Sequence, residues 1–113
     1  MKTKTKKPTP LKEMTKGEIR ESALKQLQYH GCSVWPQNNL AVRGRRFIGK
    51  RGLPDIIGYT KDGKFLAAEV KTVNDFLTEE QKEFLSSLNK SGGIGVVAKQ
   101  DENGKVILEV WVE

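Results

Sequence analysis

Ile19, Ala23, Leu24 and Leu27 recur at three- and four-residue spacing, the mark of one apolar helix face. Thr15-Lys16-Gly17-Glu18 just before them has the spacing of a capping box, so the predicted helix starts near Thr15. Gly31 ends it. A second helix, from about Thr78 to Lys90, repeats the design. Its capping box is Thr78-Glu79-Glu80-Gln81, its apolar face Phe84, Leu85 and Leu88, its stop Gly92-Gly93.

Short apolar runs bounded by turn residues fill the rest. Cys32–Trp35 is a first strand, broken by Pro36, Gln37, Asn38 and Asn39, and Leu40–Val42 extends or resumes it. Asp55–Tyr59 and Lys64–Lys71 flank Thr60-Lys61-Asp62-Gly63, where Asp-Gly is a strong hairpin signal. Ile94–Ala98 and Val106–Val112 are joined around Asn103-Gly104. The predicted order is α-β-β-β-α-β-β, a mixed α/β domain with helices on one or both faces of a central sheet. Residues 1–14, with Pro8, Pro10 and many lysines, read as a disordered basic arm, and 15–113 as a single domain.

The third strand carries the candidate chemistry. Alternation puts Leu66, Ala68 and Val70 on one face and Phe65, Ala67, Glu69 and Lys71 on the other. Glu69 and Lys71 then project side by side, about 7 Å apart along the strand. Charges inside so apolar a run are costly unless paired or used. Counting outward from the turn, Tyr59 faces Lys64 and Asp55 faces Ala68, within one residue of Glu69. Two acids and a lysine suit a hard cation such as Mg²⁺, which binds through carboxylates and keeps room for water and phosphate oxygen. Bound there, it activates water and polarises a phosphate; Lys71 would orient the water or stabilise developing charge. Glu-x-Lys alone is equally what an exposed edge strand carries; Pro54-Asp55, fourteen residues upstream across a hairpin, turns the reading towards a site.

Charge narrows the substrate. The net charge is +6, with +5 in residues 1–16 and another +5 in residues 43–51, where Arg43, Arg45, Arg46, Lys50 and Arg51 stand without an acid. The remaining residues are net negative. Concentrated cations attract a polyanion and release its counterions. The bland alternative is a solubilising tail and a solvated loop. One cysteine, Cys32, excludes an intrachain disulfide, and a single histidine, His30, leaves no zinc cluster. With no apolar leader or membrane-length run, the setting is read as reducing and cytoplasmic, with no membrane partner and no small-molecule substrate. Among the aromatics, Phe47 in the arginine stretch is the better stacking candidate; Trp35 and Trp111 read as core or dimer interface.

Pro54-Asp55 followed by Glu69-Val70-Lys71 resembles the PD-(D/E)xK nuclease signature. Arg51-Gly52-Leu53-Pro54-Asp55-Ile56-Ile57-Gly58, Ala68-Glu69-Val70-Lys71-Thr72, Leu77-Thr78-Glu79-Glu80-Gln81 and Gly93-Ile94-Gly95-Val96-Val97 together resemble the VRR-NUC family, the virus-type replication-repair nucleases. The resemblance spans about residues 15–98. It implies a restriction-endonuclease-like sheet and a phosphodiesterase using Mg²⁺ or Mn²⁺. Asp55 and Glu69 become metal ligands, joined by the Val70 carbonyl, and Lys71 the catalytic lysine. It adds Glu18, as a site residue and further metal ligand, and Gln81. Both also have a capping role open to them, and one side chain is not expected to serve cap and metal together. Minimal members, often from phages, resemble Holliday junction resolvases and act as dimers. That implies branched DNA as partner, a homodimer, and a bacterial or phage-infected host cell. The final hairpin, from Lys99, matches no family motif. Its last strand is apolar on the face of Val106, Leu108, Val110 and Val112 and mixed on that of Ile107 and Trp111, which suits an interface. Other readings remain open: a nuclease for flapped, nicked or RNA substrates, or a non-catalytic basic nucleic-acid-binding module.

Overall fold

The computed structural model describes residues 12–37 and 53–112. The arginine stretch at 43–51, Leu40–Val42 and most of the expected N-terminal arm lie outside these residues. The element order is α1 (Lys16–Tyr29), β1 (Ser33–Pro36), β2 (Ile56–Tyr59), β3 (Phe65–Lys71), α2 (Glu79–Lys90), β4 (Ile94–Gln100) and β5 (Val106–Val110). That is the order the sequence predicts.

Both helices begin where their capping boxes place them. Thr15 and Thr78 are the N-caps, and each hydroxyl accepts the N–H of the third helical residue. Both end on a glycine at positive φ, Gly31 at 89° and Gly92 at 93°. The following amides bond back, Cys32 N–H to the Leu27 carbonyl and Gly93 N–H to the Leu88 carbonyl, so that buried carbonyls are satisfied at each helix end.

The strands form one five-stranded sheet in the order β1-β2-β3-β4-β5. Neighbours are antiparallel except β3 and β4, which α2 connects in parallel. One helix covers each face. Ile19, Ala23, Leu24 and Leu27 of α1 pack with Val34, Ile56, Leu66, Ala68, Val70, Val96 and Ala98 in the main core. Leu85 of α2 lies on the opposite face over Gly95, where a β-carbon would come within 2.9 Å of its Cδ2. The close approach of α2 to β4 requires a residue without a side chain there. Strand β3 is buried on both faces from Leu66 to Lys71.

Three details depart from expectation. Pro36 belongs to β1 rather than ending it. β1 is an edge strand, where a residue lacking an N–H is tolerated. The β2–β3 register is shifted by one: Tyr59 pairs with Phe65 and Ile56 with Ala68. Thr60 N–H bonds the Lys64 carbonyl, and Gly63 at φ 85° bonds back to Thr60, so the turn holds one residue more than a two-residue hairpin. Residues 12–14 are also tied down: Met14 N–H donates to Gln100 Oε1, and Gln100 Nε2 donates to the Lys12 carbonyl.

Candidate active site

Extended by one pair, the β2–β3 ladder sets Asp55 opposite Glu69. Asp55 precedes β2, and its Oδ2 accepts the Val70 N–H at 2.8 Å. The sequence-based count left the two acids one residue apart; the turn geometry brings them face to face. Glu69 and Lys71 share the α2 face of β3, as alternation requires, and both are buried, at 0% and 7% exposure.

Glu69 is held in an unusual state. Its Oε1 accepts a hydrogen bond from Gln81 Nε2 at 3.1 Å. Its Oε2 is buried and accepts no hydrogen bond. Burial pushes its pKa up to about 8, and the adjacent Asp55 adds to the rise through its charge and a side-chain hydrogen bond, while Lys71 and Lys16 pull it down. Carboxylates are raised this way by desolvation and by a like charge close at hand.

Gln81 serves two ends at once. Its Oε1 accepts the Thr78 N–H, closing the capping box, while its Nε2 reaches Glu69. Cap and site contact coexist here because a carboxamide has an acceptor and a donor end. Glu18 closes its cap through one oxygen, Oε1. Its carboxylate accepts the Thr15 N–H at 2.9 Å, and that bond, with the Lys12 charge, lowers its pKa. Among the described residues, no group of three His, Cys, Asp or Glu side chains converges, so Glu18 does not stand with Asp55 and Glu69. Val70 meets the site through its N–H. Arg43, Arg45, Arg46, Lys50 and Arg51 lie outside the described residues.

Sequence reasoning missed Lys16. Its Nζ lies 3.1 Å from Asp55 Oδ1. The residue opens α1, where a positive charge opposes the helix dipole, and that mismatch was a readable sign that it has a partner elsewhere. Next to Lys71, a cleft of about 450 Å³ is lined by Phe76, Leu77, Lys99, Trp111 and Val112, but not by Asp55 or Glu69.

The donor set fits a hard divalent cation. Two carboxylates face each other, and one contributes a buried oxygen with no hydrogen bond; an orphaned acceptor of this kind is costly unless something cationic or protic meets it.

The family model for the VRR-NUC domain matches residues 2–101. Among solved structures, Hjc, a Holliday junction resolvase from the archaeal hyperthermophile Archaeoglobus fulgidus, aligns with a TM-score of 0.58 at 18% identity, over 83% of this chain and 75% of that one. At that identity the likeness shows the fold, which is restriction-endonuclease-like. By sequence, no curated protein matches. With the family match running over nearly the whole chain and Asp55, Glu69 and Lys71 brought together on this fold, the chain belongs to the VRR-NUC family of nucleases.

Proposed function

We propose that the protein is a Mg²⁺- or Mn²⁺-dependent endonuclease that hydrolyses phosphodiester bonds in branched DNA, with the four-way junction as preferred substrate and a symmetric homodimer as working form. The observation that carries the chemistry is the pairing of Asp55 with a buried Glu69 whose Oε2 is unsatisfied, two residues before the buried Lys71.

Asp55 and Glu69 would hold the cation, with the Val70 carbonyl as a further candidate ligand. When bound, the cation supplies a polarised phosphate and an activated water. The protein's own residues do the rest. Val70 N–H fixes the rotamer of Asp55, and Gln81 fixes that of Glu69. Lys71 places a positive charge on the same face, where it stabilises charge developing on the phosphate. The arginine-rich stretch at 43–51 ends four residues before Asp55 in the sequence, and its cations suit phosphate contacts beside the scissile bond.

The fold shared with a junction resolvase supports the choice of four-way DNA, and the two paired nicks that resolution requires suit a two-fold dimer. The test is a panel of labelled linear, nicked, flapped and four-way DNAs and a matching RNA, with Mg²⁺, Mn²⁺ or EDTA. Cleavage concentrated on the four-way DNA and abolished by EDTA supports the proposal. Preference for flaps or RNA would change the substrate and keep the chemistry. Binding without cleavage under every metal condition would leave a basic nucleic-acid-binding module.

A further inference from the structure

Asp55 and Glu69 use their four oxygens unequally. Asp55 Oδ2 is on the Val70 N–H, and Glu69 Oε1 is on Gln81. Glu69 Oε2 is buried and accepts no hydrogen bond. The remaining oxygen, Asp55 Oδ1, holds the Lys16 ammonium at 3.1 Å. A backbone N–H and a carboxamide donor can stay in place while a carboxylate binds a cation through its other oxygen. An ammonium on the oxygen that would take the cation opposes it by like charge.

We propose that Lys16 is a stand-in for the divalent cation: its ammonium sits on Asp55 Oδ1 and competes there with a metal that Asp55 and Glu69 would hold. The inference rests on the metal-dependent reading of the site given above.

Position and chemistry both favour an exchangeable partner. Lys16 is the first residue of α1, where the helix dipole offers its charge nothing, so Asp55 is what holds it. Its side chain is 46% exposed and that of Asp55 23%, so the pair opens to water. The lysine stem is flexible and its charge is a strongly hydrated point, easily released to solvent. Lys71, by contrast, is buried on β3. Held there, the ammonium offsets the charge of Asp55 beside the buried Glu69 when no metal is present. Once displaced, the ammonium remains at the mouth of the site, where a DNA phosphate would arrive.

The test is the Mn²⁺ affinity of the full chain by calorimetry, without DNA, for wild type, Lys16→Met and Lys25→Met. Lys25 is an exposed lysine of α1, so its replacement removes the same net charge without touching Asp55. Exposed ion pairs of this type are weak, so Lys16→Met should bind Mn²⁺ about two- to fivefold more tightly than wild type. Lys25→Met should leave the affinity nearly unchanged. A Lys16→Met affinity no higher than that of Lys25→Met would overturn the proposal. A second measurement needs no variant: the side-chain ¹⁵N resonance of Lys16 in the wild type. It should report a held ammonium in EDTA and a freely hydrated one at saturating Mg²⁺. An ammonium equally held in both conditions would refute the exchange. A wild type that binds no Mn²⁺ would overturn the metal-dependent reading along with this one, whereas normal binding with no gain in Lys16→Met would overturn this one alone.

Discussion

Gln81 Nε2 donates to Glu69 Oε1 at 3.1 Å while Gln81 Oε1 holds the N-cap of α2, so a single side chain couples the start of a helix to the buried acid of the site. Gln81→Glu separates the two jobs. The cap survives, because glutamate also closes a capping box. The donor towards Glu69 is replaced by a like charge. The variant should keep a Tm within about 2 °C of wild type, a few tenths of a kcal/mol for a domain of this size. Its cleavage rate should fall by about ten- to a hundredfold, as when a partner of a metal ligand is lost. Thermal melts and single-turnover cleavage check both halves.

The raised pKa of Glu69 gives the metal-free protein a defined pH dependence. A carboxyl that titrates near 8 when folded and near 4.5 when unfolded binds its proton more tightly in the native state. Its contribution to stability is therefore full below about pH 4.5 and is lost as pH rises through about 8. Urea melts in EDTA should show stability falling between pH 5 and 8.5 for wild type, more steeply than for Glu69→Gln. Cation binding needs the ionised form, so Mn²⁺ affinity should climb with pH up to about 8 and then level off.

Glu18 caps its own helix, and the geometry supports that role. Glu18→Gln retains an acceptor for the Thr15 N–H and should be nearly silent, with cleavage within about twofold of wild type and an unchanged melt. A strong loss of activity at unchanged stability would instead place Glu18 in the site, as the family resemblance implies.

The apolar edge offers a place for a second copy. β5 ends the sheet, and beyond its core-facing Val106 and Leu108 the chain leaves Val110 60% and Val112 82% exposed. Phe76, also exposed, lines the same cleft as both valines. Trp111 lines that cleft too, and its indole N–H is on Ser86 Oγ. Val110→Lys with Val112→Lys should convert a dimer to monomer in light scattering at micromolar concentration without unfolding the protein. A wild type that is monomeric both free and on a junction would favour single nicks over paired ones.

What the sequence made legible follows from local rules. The two capping boxes, the glycine stops and the alternation along Phe65–Lys71 are short-range patterns, and each element they announce is present. Asp55 and Glu69 were found the same way, to within the one residue that the Thr60–Lys64 turn adds. The Lys16 contact was hidden because it joins a helix start to a position 39 residues away, a distance set only by how α1 lies on the sheet. The double role of Gln81 was hidden for a related reason: a capping box is visible in four consecutive residues, but the approach of α2 to β3 is not.

Cleavage of a labelled four-way junction, wild type against Asp55→Ala, Glu69→Ala and Lys71→Ala, tests the central claim most directly. The account predicts Mg²⁺- or Mn²⁺-dependent cleavage by the wild type. Each variant should retain the wild-type circular dichroism spectrum and lose at least about a hundredfold in single-turnover rate, the scale on which acid–base and electrostatic groups act. A folded Glu69→Ala protein that cuts at the wild-type rate, or wild-type cleavage that persists in EDTA, would contradict it.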